Sequence, residues 1–149
     1  MNHEINLQSL ADEIKAAQDQ CKQIVPLTSQ FSKFSNGEAY AVAQLVHKMR
    51  IKEGATPVGR KIGFTNPKMW SIYGVCEPIW GYIYHTTVVP LTGSTVRCRI
   101  GHFAEPKIEP EIVVHFGTAP PVSADIAEVL ASIDWIAHGI EIVQSHFPG

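Results

Sequence analysis

The stretch KIEPEI at residues 107–112 places two glutamates, Glu109 and Glu111, on either side of a proline inside an otherwise apolar run. Side chains alternate along a strand with period two. In a strand, therefore, both carboxylates face one side and Pro110 the other, with no N–H to give the ladder. Like charges that close repel and raise each other's pKa unless a cation lies between them. A third carboxylate, Glu141, is available inside HGIEIVQSHF, another strand-like run. Three oxygen donors plus water form the ligand set of a hard divalent cation such as Mg2+ or Mn2+, whereas zinc more often draws on His or Cys. The spacing leaves a second reading open, in which Glu109 and Glu111 lie on the solvated face of an edge strand, where proline is also tolerated.

A second group of residues lies upstream in VGRKIGFTNP. Alternation puts Gly59, Lys61, Gly63 and Thr65 on one face and Val58, Arg60, Ile62 and Phe64 on the other. Lys61 then emerges between two residues without side chains, which leaves room for a ligand. Thr65 and Asn66 follow at an expected helix N-terminus, whose free N–H groups favour a carboxylate. A lysine beside an anion and a metal serves as proton donor or acceptor when desolvation tunes its pKa. The alternative is a solvent-exposed lysine on an edge strand. Arg60 does not fit an apolar face, and a bulge there would account for it.

The elements that must position these groups follow from periodicity. Residues 7, 10, 14, 17, 21 and 24 form the apolar stripe of an amphipathic helix that VPLTSQF ends. Ser35 and Glu38 have the spacing of a capping box for a second helix through about residue 52, stopped by GATP. The pattern then changes to short β-rich runs between Gly and Pro: VGRKIGFT, WGYIYHTTVV, TVRCRI, EIVVHF and GIEIVQSHF. Two helical interludes are expected, NPKMWSIYGV with Asn66 as N-cap and Pro67 at its first position, and SADIAEVLASI capped by Ser123 over two to three turns. With no repeat or flexible linker, the helices should pack on a sheet. The expected fold is α+β in a single domain over 1–149, helical over 1–53 and β-rich over 54–149.

Composition excludes several classes. A chain of 149 residues with 45% hydrophobic content can bury one core, and a net charge of −2 argues against a nucleic-acid partner. The N-terminus is acidic and lacks a signal-type apolar core, and no run approaches a bilayer span, so the expectation is a cytoplasmic protein with no membrane partner. Cys21, Cys76 and Cys98 are too widely spaced for a metal knuckle and read as reduced thiols.

The segments GRKIGFTNPKMW, YGVCEPIWGYIY, HFAEPKIEPEIVVHF and DWIAHGIEIVQSHFP resemble, in the same order, the fumarylacetoacetate hydrolase superfamily in its 2-keto-4-pentenoate hydratase and 4-oxalocrotonate decarboxylase branch. The likeness covers Val58 to Pro148. It implies N-terminal helices packed on a partial mixed β-roll, and a divalent-metal lyase acting on small 2-oxo acids from aromatic-ring degradation. It implies Glu109, Glu111 and Glu141 as ligands of Mg2+ or Mn2+ and Lys61 as the catalytic lysine. Gly63, Thr65 and Asn66 become substrate-binding positions. The metal would chelate the 2-oxo and 1-carboxylate oxygens as a Lewis acid, and Lys61 would move a proton at carbon.

Two departures from the family pattern matter. Ile79, in EPIWG, stands where the hydratase pattern has an aspartate, and an apolar residue cannot orient water. Decarboxylation needs no attacking water, so that reading stays open beside hydration, for which Glu77, Cys76, Glu105 or His102 would have to serve. The branch also continues for roughly another hundred residues that complete the β-roll, a size in keeping with ordinary single domains. A chain without them should expose a sheet edge after Glu141 and form a homo-oligomer, as a short enzyme or as a catalytically silent partner of a full-length one.

Overall fold

Asn6 accepts a hydrogen bond from the Ser9 backbone and opens α1, Leu7–Gln20, which ends as Cys21 turns into the left-handed region at φ 52°. The stripe expected to reach residue 24 therefore stops at Cys21, and a separate one-turn helix, α2, follows over Leu27–Gln30. The capping box forms as read: Ser35 and Glu38 bond each other's backbone N–H at the start of α3, Asn36–Lys52. Gly54, at φ 95°, turns the chain out of it. The computed structural model describes residues 5–123 and 125–148.

The buried core sits among these helices: Leu10, Ala11, Leu27, Val42 and Val46, with Ile14, Phe31, Leu45 and Met49 packed around it. The ends of α1 and α3 are tied by Lys15 and Arg50, each reaching both Asp19 and Glu53.

Strand β1, Pro57–Gly63, pairs antiparallel with β2, Ile79–Tyr84. One face of this hairpin meets α3 through aromatic contacts. Tyr40 stacks on Trp80 at 5.4 Å, His47 stacks on Tyr82 at 3.5 Å, and the Tyr82 hydroxyl donates to Gln44. Arg60 belongs to that face, its guanidinium 4.1 Å from the Tyr82 ring centre and 5.2 Å from that of Trp80. A cation over aromatic faces needs no bulge. The irregularity of this pair lies between Pro57 and Gly59, not at Arg60.

Between these strands, Asn66 caps a 3-10 turn at Pro67–Met69 that runs into α4, Trp70–Tyr73. Strand β3, Lys107–Phe116, pairs antiparallel with β4, Ile133–Val143. Between them α5 spans only Ile126–Leu130, and its N-cap is Asp125, not Ser123. The Ser123 hydroxyl accepts from the Asp125 N–H instead, one step outside the helix.

The α+β class holds, with helices beside antiparallel strand pairs and α3 against the β1–β2 pair. Further expectations of strand and helix extent need correction. TVRCRI forms no strand, and β2 gives way at His85–Thr87 to a 3-10 turn. The helix after residue 122 is one turn long, and β4 begins at Ile133 rather than Gly139. Among the described residues every strand pair is antiparallel, which leaves a mixed β-roll without direct support. Among the same residues, no helix is long and apolar enough to cross a membrane.

Candidate active site

In the β3–β4 pair, Glu109 stands opposite Glu141 and Glu111 opposite Gly139. Directly opposed residues share a face, so all three glutamates project from one side. Each offers a carboxylate oxygen, and these atoms lie within 4.8 Å of one another. Pro110, opposite Ile140, faces the other way, and β3 has one partner among the described residues, which suits a residue that cannot donate to a second.

Lys61 reaches this cluster from the other hairpin. Its Nζ lies 3.4 Å from Glu109 and 3.8 Å from Glu111, and bonds Glu141 closely. Burial acts to lower the Lys61 pKa, but the hydrogen bond and charge of Glu141, reinforced by Glu109, prevail and hold it above the ordinary lysine value of 10.5. The four side chains are partly exposed, from 31% for Glu141 to 48% for Glu109, so the cluster opens to solvent.

The surroundings of Lys61 are bare. Gly59 and Gly63 flank it on β1 and Gly81 stands opposite on β2. A Cβ at Gly59 or Gly81 would meet nothing within 4 Å. Among the described residues the neighbour at Gly63 is Ile79, whose Cγ1 would lie 3.5 Å from such a Cβ. Ile79 thus lies on the Lys61 face and supplies an apolar wall. Gly81 was not among the residues singled out by spacing, because its place opposite Lys61 is a matter of register.

The remaining predicted positions are less gathered. The strand ends at Gly63, and Phe64 takes a left-handed φ of 54°, so the alternation that put Thr65 on the Lys61 face stops two residues short of it. Thr65 and Asn66 are exposed, and the Asn66 side-chain oxygen Oδ1 accepts from the Lys68 N–H at 3.1 Å. Cys76, Glu77, His102 and Glu105 are exposed as well, and no contact joins them to the carboxylates. The three cysteines are free thiols.

Oxygen donors about 2.0–2.6 Å from a shared hard cation stand at most about 5 Å apart, which the 4.8 Å spread satisfies. A cation already lies against all three carboxylates, the Lys61 ammonium. The donor set therefore fits a divalent ion, with all-oxygen chemistry that suits Mg2+ or its like better than zinc.

No protein-family model matches the chain. A 4-oxalocrotonate decarboxylase of Pseudomonas putida is 29% identical over 152 residues, covering 99% of this chain and 56% of its own length. Another, from Pseudomonas sp., is 31% identical over 110 residues, covering 74% of this chain and 42% of its own. A 2-keto-4-pentenoate hydratase of Paraburkholderia phymatum is 25% identical over 146 residues, covering 97% and 55%. Among solved structures, 4-oxalocrotonate decarboxylase from Pseudomonas putida G7 complexed with magnesium and adipate superposes with a TM-score of 0.86 at 26% identity, over 98% of this chain and 56% of that one. The same enzyme complexed with calcium and acetate gives 0.84. The resemblance to 2-keto-4-pentenoate hydratases and 4-oxalocrotonate decarboxylases is borne out. The chain spans about half the length of these relatives.

Proposed function

We propose that this chain, a homologue of 4-oxalocrotonate decarboxylases and 2-keto-4-pentenoate hydratases, is a divalent-metal-dependent lyase acting on small 2-oxo acids in aromatic catabolism. The observation that carries the reading is the meeting of Glu109, Glu111 and Glu141 within 4.8 Å, with Lys61 against them. The three carboxylates would hold Mg2+ or Mn2+, and the bound ion would supply a Lewis acid for the 2-oxo and carboxylate oxygens. Lys61 Nζ would move a proton at the substrate carbon. The bare Gly59 and Gly81 would leave the floor on which the substrate lies, Gly63 would border it beneath the Ile79 wall, and Thr65 and Asn66 would meet its outer end.

Ile79 favours decarboxylation over hydration. Its side chain covers Gly63 on the Lys61 face, and an apolar wall there can neither orient nor deprotonate an attacking water, whereas loss of CO2 requires none. Hydration would need Glu77, Cys76, Glu105 or His102, which stand apart from the cluster. A cytoplasmic homo-oligomer built on a mixed β-roll, with the helical and β-rich parts forming one domain, completes the proposal. Purified chain with Mg2+ or Mn2+ and a 2-oxo acid should consume the dienol or enone absorbance, and CO2 release against product hydroxylation separates the two reactions. No turnover from a chain that binds the metal would instead favour the silent partner of a full-length enzyme.

A further inference from the structure

Gly139 is the register partner of Glu111, two residues before Glu141 on the same face of β4. A Cβ placed on it would stand 2.8 Å from Val113 Cγ2 and 3.7 Å from Glu111 Cβ. Its backbone does not call for glycine, since the positive-φ glycines among the described residues are Gly54 and Gly74. What calls for glycine is space. Val113 follows Glu111 on the carboxylate face, and a β-branched side chain is stiff about χ1, so its methyl group cannot swing aside cheaply. Glycine also weakens a strand interior, and there it often marks a close approach.

We infer that Gly139 is a positioning residue for the metal site: the missing side chain lets Val113 lean across β4 and holds Glu111 beside Glu141. A larger residue could be accommodated only by displacing Val113 or parting β3 from β4 at this point, and parting the strands would carry Glu111 away from Glu141 and spread the three carboxylates beyond the span one ion can bridge. The inference rests on the metal reading of the proposed function and adds a residue that donates nothing to the ion.

The test is calorimetric titration of the full chain with Mn2+ alone, beside its thermal unfolding. Gly139→Ala should weaken Mn2+ binding by about tenfold or more, as changes that misorient a ligand do, with the metal-free melting transition kept. Gly139→Ala/Val113→Ala, which removes the crowded methyl, should recover most of the affinity. Wild-type affinity in Gly139→Ala overturns the inference while leaving the metal reading intact, and absence of Mn2+ binding by the wild-type chain overturns the metal reading itself. If Gly139→Ala does not fold, the double variant decides. Folded with near wild-type affinity it supports the inference; unfolded, or folded with weak binding, it refutes it.

Discussion

Glu109 and Glu141 are register partners across β3 and β4, so two like charges face each other directly, with Lys61 in contact with both. Like charges directly opposite on a sheet are destabilising, and the partly exposed Lys61–Glu109 ion pair offsets that repulsion. Glu109→Gln relieves the one and loses the other, so it should change metal-free stability by no more than about 1 kcal/mol. Metal separates the two proteins. At Mn2+ a hundredfold above its Kd, binding stabilises the wild-type chain by about 2.7 kcal/mol, most of which the variant should lose. Denaturation with and without Mn2+ measures both effects, and an equal metal-induced gain in the two proteins would remove Glu109 from the ligand set.

Lys61 should be required for chemistry and dispensable for the ion. Its ammonium occupies the position against the carboxylates that a divalent cation would compete for. Lys61→Ala is expected to abolish turnover while Mn2+ affinity stays the same or rises. Retained turnover would take Lys61 out of the mechanism, and weakened Mn2+ binding would make it a support of the metal site.

His47 predicts a stability change near neutral pH. It is 7% exposed, with Nδ1 2.9 Å from the Tyr84 hydroxyl and its ring on Tyr82. Desolvation first, then the charge of Arg60, lowers its pKa from the ordinary 6.5. As the pH falls, the unfolded chain takes up the proton before the folded one. The stability contributed by neutral His47 is thus full above 6.5 and is lost as pH falls through the lower folded value. Denaturant midpoints should decline between about pH 7.5 and 5.5, and His47→Gln should flatten that decline. Parallel slopes in the two proteins would show that other groups carry it.

Local signals were the legible part of the fold. The capping box at Ser35 and Glu38, the Asn66 cap and the shared face of Glu109 and Glu111 are each settled within a few residues, and each stands where its spacing puts it. The errors fell where a tertiary choice overrides a local pattern. The apolar alternation of TVRCRI finds no partner strand among the described residues, and β4 starts at Ile133, the last residue of the expected helix, and runs on through 134–138, to which the local pattern assigns no element, because it has all of β3 to pair with. Arg60 looked misplaced until α3 brought an aromatic surface to its face. The glycines opposite Lys61 and Glu111 depend on strand register, which a single strand's sequence does not carry.

The far face of the β3–β4 pair makes the last prediction. Opposite the carboxylates it presents Ile108, Ile112, Ile136 and Ile140, between 63% and 71% exposed, with Val114 and Phe116 beside them. Each fully covered aliphatic side chain contributes roughly 1.5–3 kcal/mol relative to exposure, so four isoleucines make a strong drive to cover this face. The pair also leaves strand edges unpaired among the described residues, and such edges template pairing with another chain. The chain should therefore self-associate at micromolar concentration through this sheet. Light scattering decides: a monodisperse mass of 16.4 kDa would reject the prediction. If an oligomer forms, Ile112→Lys should shift it toward monomer, since a charge at the centre of the apolar face cannot be buried unpaired. An oligomer indifferent to that substitution would place the interface elsewhere.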